Sequence, residues 1–165
     1  MHYDDVKPWC DNNTVQQMVL RGQNSFVASR PSDEFEVDFF YINDKEDDEY
    51  KISLAGIDVF SRFGTCFASA NKTPEQSVEG LKRMFERMGG RPKIIFADEE
   101  GSMQSKITDE CLKDENKRCI INRNHCRFVE RFIRTIKIMM YIRLEKRPVE
   151  RWYSFVIEIL VTYDL

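Results

Sequence analysis

The sequence predicts an α/β fold, a five-stranded mixed sheet flanked by helices, on three observations. The first is a block of three β-rich runs, 35–42, 50–60 and 63–70, the latter two joined by a tight turn, which implies an antiparallel meander. The second is the alternation of helix, strand, helix and strand that follows between residues 73 and 122, the pattern of a sheet extended through crossover helices. The third is an apolar period of three and four residues from Phe128 onward, the mark of a helix with one buried face.

Composition sets the outer limits. A chain of 165 residues with 42% hydrophobic and 32% charged residues suits one domain with a sizeable core. No run of eighteen apolar residues and no basic-then-apolar leader is present, so neither a membrane span nor a signal peptide is expected. The five cysteines, Cys10, Cys66, Cys111, Cys119 and Cys126, are odd in number and lack CxxC spacing. That argues against a disulfide framework or zinc knuckle and for a reducing compartment. The net charge of −3 hides a segregation. Residues 1–116 carry 14 Lys+Arg against 23 Asp+Glu, residues 117–151 carry 11 against 3, and residues 152–165 carry none against 2. A basic segment of that density can engage phosphates although the remainder is acidic; it can equally be the solvated face of a long helix.

Residues 1–34 show little periodicity and read as a leader or linker, with a short helix possible over 14–22; residues 35–165 read as the folded core. His2 and Cys10 are too few for a zinc site. The first strand, FEVDFFYI at 35–42, carries Asp38 inside an apolar run. A carboxylate so placed is at an exposed edge, paired, or bound to a metal, because burying it alone costs several kcal/mol. The acidic NDKEDDE run after it reads as a solvated hairpin loop. The next two strands meet at a tight Ser61–Arg62 turn. Thr73, Pro74 and Gln76 then mark a helix start, with Thr as N-cap, Pro at the first helical position and Gln at the capping-box position; Gly89–Gly90 end that helix.

Lys93–Ala97 reads as a buried fourth strand, followed at once by Asp98. Acids at the C-terminal ends of such strands are where α/β sheets place functional groups, although a turn or cap role is the plainer reading of an isolated Asp. A helix over 106–115 and a strand over 118–122 lead to the stretch NRNHCRFVERFIRTIK at 122–137. Glu130, Arg134 and Lys137 fall there on the face opposite the apolar stripe. Read alone, Glu130 and Arg134 are an i,i+4 surface ion pair worth ~0.2–0.5 kcal/mol. Read with Asp38 and Asp98, Glu130 is the third carboxylate of a metal centre. The long helix should stop near Arg147, before Pro148, and a last helix should run over 150–163.

In this order and spacing, EVDFFYI with Asp38, GIDVFSRF at 56–63, KTPEQSVEGLKRMF at 72–85, IIFADEEGS with Asp98, HCRFVERFIRTIK with Glu130 and the terminal WYSFVIEILVTYD resemble the retroviral integrase superfamily catalytic core, which has an RNase H-like fold. The resemblance covers about residues 24–163. The leader NSFVASRPSDEFEVDFF looks most similar to integrases of Polinton/Maverick-type DNA transposons. Two departures bear on substrate contacts: a longer, Glu-rich turn after Asp98, and Ile133 where the family often has Asn.

The resemblance implies a polynucleotidyl transferase that trims a 3′ end and joins it to target DNA. Asp38, Asp98 and Glu130 would bind two Mg²⁺ or Mn²⁺ ions, with Glu99 or Glu100 as alternatives to the favoured Asp98, and Arg127, Arg131, Arg134 and Lys137 would hold element-end DNA. Oligomers, a further partner in target DNA, and nuclear action in a eukaryotic host are also implied. Because neither a His/Cys zinc module nor a separate basic module flanks the core, a longer protein is expected. Two alternatives share the fold: a catalytically silent DNA-binding module, and an RNase H-like nuclease that cuts strands and never joins them.

Overall fold

A computed structural model describes residues 28–42, 49–97, 103, 105–114, 117–118, 120–122, 126–147 and 151–164. The 14–22 segment, the acidic loop at 43–48, Asp98 with the turn after it, and His125 lie outside the described residues.

Three strands open the fold: β1 (Glu34–Tyr41), β2 (Ile52–Asp58) and β3 (Gly64–Ser69), with β1 antiparallel to β2 and β2 antiparallel to β3. Helix α1 (Pro74–Arg87) begins where the sequence marks it. The Thr73 side chain accepts the N–H of Gln76, and Gly89 turns the chain out of the helix at φ 77°, a region where only glycine is unstrained. Strand β4 (Ile94–Ala97) then lies parallel to β1, placing β1 in the interior of a mixed sheet ordered β3-β2-β1-β4.

After α2 (Lys106–Leu112) the chain departs from expectation. Lys113–Asp114 (β5) and Lys117–Arg118 (β6) pair as a small separate hairpin, and only Ile120–Asn122 (β7) lie parallel beside β4. The strand expected over 118–122 is therefore divided, because residues 117–118 take their backbone partners from the segment just before them. Helices α3 (Arg127–Lys146) and α4 (Trp152–Asp164) complete the chain. Among the described residues no helix is long and apolar enough to cross a membrane, and neither Cys66 nor Cys126 is in a disulfide.

The sheet is covered on both faces, and the period of two in β1 sorts its residues between them. Phe35, Val37 and Phe39 pack in one cluster with Leu81, Met84 and Phe85 of α1 and Leu112 of α2. Phe40 packs in the other with Ala55, Ile57 and Phe96 of the sheet, and with Val129, Phe132, Ile136 and Met140 of α3 and Trp152, Phe155 and Ile159 of α4. Each such side chain fully buried contributes roughly 1.5–3 kcal/mol before entropy. The second face is therefore the one that α3 is built onto, and the even-numbered positions of β1 face it.

Candidate active site

Those even-numbered positions are Glu34, Glu36, Asp38 and Phe40. Asp38 is half-buried in mid-strand, opposite Ala55 of β2, and its Oδ1 accepts the N–H of Phe39 at 2.7 Å. The parallel pairing of β1 with β4 runs from Glu34–Ile94 to Val37–Ala97. It thus ends one residue before Asp38 on one strand and one residue before Asp98 on the other.

Glu36 is only 6% exposed. Its Oε2 accepts the backbone N–H groups of Phe128 at 2.7 Å and Val129 at 2.9 Å, the second and third residues of α3. The first N–H groups of a helix have no partner within it, and Cys126, the N-cap of α3, makes no side-chain capping bond. Glu36 takes that role from another element, with the added attraction of a carboxylate for the positive end of the helix, typically ~0.3–1 kcal/mol. Burial pushes the Glu36 carboxyl above the usual range; the two N–H bonds and the Arg62 charge oppose this, and the Glu130 charge adds to it. Arg62 has a left-handed backbone (φ 67°) in the β2–β3 turn. Its guanidinium lies 3.4 Å from the centroid of the Phe128 ring, so a second contact holds the same turn of α3. The turn is itself locked by Asp58, which accepts from Ser32 N–H, Phe60 N–H and Ser61 Oγ–H at 2.9–3.0 Å.

Glu130 sits in the first turn of α3, exposed, with its N–H bonded to the Cys126 carbonyl at 3.0 Å. Arg127, Arg131 and Arg134 are exposed on the same helix, and Lys137 is half-buried with Nζ 5.7 Å from the Phe40 ring centroid. Glu130 and Arg134 form no salt bridge among the described residues, so the surface ion pair suggested by their spacing is absent. Ile133 is part of the buried cluster.

The structure thus brings Asp38 and the α3 turn bearing Glu130 to one face of the sheet, bridged by Glu36, while Asp98 lies outside the described residues. Among the described residues no group of three His, Cys, Asp or Glu side chains is gathered to hold a metal ion. The donors that are present, a half-buried Asp and an exposed Glu, are hard oxygen ligands of the kind Mg²⁺ and Mn²⁺ prefer. Glu36, Arg62 and Asp58 escaped the sequence reading. The signal for Glu36 was available: an acid two residues before Asp38, hence on the same side of the strand, in a chain whose long helix begins after Cys and not after Ser, Thr, Asp or Asn.

A mixed sheet with β1 in its interior, helices on both faces and the long helix α3 packed on β1 and β2 is an arrangement similar to that of solved integrase catalytic cores. Among solved structures, the chain is similar to one in the simian T-cell lymphotropic virus intasome in complex with PP2A regulatory subunit B56 gamma, with TM-score 0.71 and 18% identity over 80% of this chain and 48% of that one. This chain thus spans about half the length of that viral chain. It is similar also to the HTLV-2 integrase catalytic core domain in complex with magnesium. For the trimeric form the TM-score is 0.69 at 17% identity, covering 80% of this chain and 84% of that one; for the dimeric form it is 0.69 at 18%, covering 80% and 85%. No family model matches the chain, and no curated protein sequence matches it. At these identities the likeness defines the fold.

Proposed function

We propose that the chain is the catalytic core of a metal-dependent DNA integrase that processes the 3′ ends of a mobile element and transfers them into target DNA. The observation that carries this reading is the junction of β1 with α3. Asp38 and the first turn of α3, bearing Glu130, share one face of a sheet with the integrase-core fold, and the paired part of β4 ends immediately before Asp98.

In this reading Asp38, Asp98 and Glu130 hold two Mg²⁺ or Mn²⁺ ions; when bound, the metal supplies activation of the attacking hydroxyl and stabilisation of charge at the phosphate. The interior strand β1 gives Asp38 a firm seat, since Asp38 is paired with Ala55 of β2 and Val37 just before it is paired on both sides, with Gly56 of β2 and Ala97 of β4. Arg127, Arg131, Arg134 and Lys137 lie along the helix that carries Glu130 and bind the phosphate backbone of element-end DNA, positioning it without reading its sequence. Residues 120–122 serve as the fifth strand of the sheet. The likeness of the leader to Polinton/Maverick integrases supports a transposon origin, and in a eukaryotic host the place of action is the nucleus. Oligomers are part of the reading, as the HTLV-2 core occurs in dimeric and trimeric forms.

The test is resolution of a branched DNA carrying an already joined end, in Mn²⁺. The chain should resolve the branch only with metal. Asp38→Asn, Asp98→Asn and Glu130→Gln should each lower the rate by about 10²-fold or more, since metal-borne charge stabilisation is worth several kcal/mol and each 1.36 kcal/mol is tenfold. Resolution unchanged in all three variants would refute the site. Salt-sensitive DNA binding without resolution would favour the catalytically silent module.

A further inference from the structure

We infer that Glu36 is a positioning residue for Glu130. It fastens the first turn of α3 to the strand that carries Asp38, and so sets the spacing between two carboxylates that reside on different elements. The inference rests on the integrase reading above.

Four observations support it. One carboxylate oxygen, Glu36 Oε2, receives both N–H bonds, from residues 92 and 93 positions away. Its backbone has strand partners on both sides, Ile57 in β2 and Phe96 in β4, so the oxygen is presented from the most constrained part of the sheet. Among the described residues the helix has no local substitute, because the Cys126 side chain makes no cap bond. And Val129, which donates the second of these bonds at 2.9 Å, immediately precedes Glu130, while Arg62 presses on Phe128 from the β2–β3 turn. A local N-cap would stabilise α3 equally well but would leave its end free to slide over β1. A cap supplied by β1 couples helix position to Asp38. Reacting groups displaced by about 1 Å can lose roughly 10²-fold in rate, so this coupling is the property the site requires.

The experiment compares the whole chain with Glu36→Ala, Glu36→Gln and, as a control for general destabilisation, Ile159→Ala in the same buried cluster. The readouts are amide hydrogen exchange at residues 128–130, the rate of branch resolution at saturating DNA, the Mn²⁺ concentration for half-maximal rate, and DNA affinity. Glu36→Ala should speed exchange at Phe128 and Val129, cut the rate by about 10- to 100-fold and raise the Mn²⁺ requirement, with DNA affinity held within about twofold. Glu36→Gln, whose amide oxygen accepts the same two N–H groups, should keep slow exchange and most of the rate. Ile159→Ala should lower the melting temperature and leave the Mn²⁺ requirement alone. Unchanged exchange in Glu36→Ala would overturn the inference. So would a Glu36→Gln protein with slow exchange and no activity, since the carboxylate would then be a metal ligand itself. If exchange behaves as expected but the unaltered chain shows no metal-dependent resolution, the integrase reading has failed and the positioning role falls with it, the cap remaining as a feature of the fold.

Discussion

Two adjacent acids at the start of β1 show how much a carboxylate depends on its neighbours. Asp33 is met by Ser29 Oγ at 2.7 Å, Arg30 Nε at 3.0 Å and Lys93 Nζ at 2.9 Å, which hold its carboxyl far below the usual range. Glu34 is buried, its Oε2 has no hydrogen-bond partner, and burial together with the Asp33 charge pushes its carboxyl upward. A carboxyl raised in the folded state binds its proton more tightly there. Its contribution is complete below the ordinary value of 4.5 and is lost as pH rises through the higher folded value. Glu34→Gln should therefore be the more stable protein at pH 7, by on the order of 2–4 °C in melting temperature for about 1 kcal/mol. The gap should close as the pH falls toward 4.5. A calorimetric pH series on the two proteins checks this, and a gap that widens on acidification would contradict it. For Asp33 the sign reverses: its contribution is present above 3.8 and is lost only in strong acid.

Helix α3 joins a buried face to a cationic one, and each can be tested separately. Each Lys or Arg that neutralises a phosphate steepens the fall of log K with log salt by about 0.9 on duplex DNA. Replacing Arg134 and Lys137 together by Ala should flatten that slope by about 1.8, read by fluorescence anisotropy across a salt series; an unchanged slope would remove both from the interface. On the buried face, a Cβ added at Gly64 would run into the Phe132 ring. Gly64→Ala should therefore destabilise by roughly 1–3 kcal/mol, as overpacking does, seen as a lower midpoint in denaturant. Helices α1, α3 and α4 were legible because their signals are local: a Thr-Pro start, a spacing of three and four, a Pro just beyond the end. The first four strands were legible because β-rich runs separated by turn residues have few other uses. The division of 117–122 was not, since a run of that length does not reveal whether it pairs with the sheet or folds back on Lys113–Asp114. Within the site, Asp38 and Glu130 stood out as acids beside apolar periods. Glu36 did not, because its bond partners are backbone groups 92 and 93 residues away, so that only its side of the strand, shared with Asp38, and the missing cap residue of α3 hinted at its role.

At the scale of the molecule, apolar side chains left in solvent gather on the last two helices: Ile138, Tyr141 and Ile142 on α3, Ile157 and Val161 on α4. Exposed large apolar groups in such number mark contact surfaces, in keeping with the proposed self-association. Ile157→Lys with Val161→Lys should lower the mass measured by light scattering toward one chain; an unchanged oligomer would shift the interface elsewhere. Helix α4 is tied at both ends to the hairpin of β2 and β3: Trp152 Nε1–H donates to the Tyr50 carbonyl at 2.7 Å, and Asp164 Oδ1 accepts the Gly64 N–H at 3.1 Å. These ties span 102 and 100 residues, and the Glu36 clamp spans 92 and 93. During synthesis, then, the sheet face under α1 can close early, whereas the face holding Asp38 must wait for the ribosome to deliver residues 127–164. Contacts so distant in sequence slow folding, and they give the nascent chain an order of events in which β1 and the helix bearing Glu130 come together last.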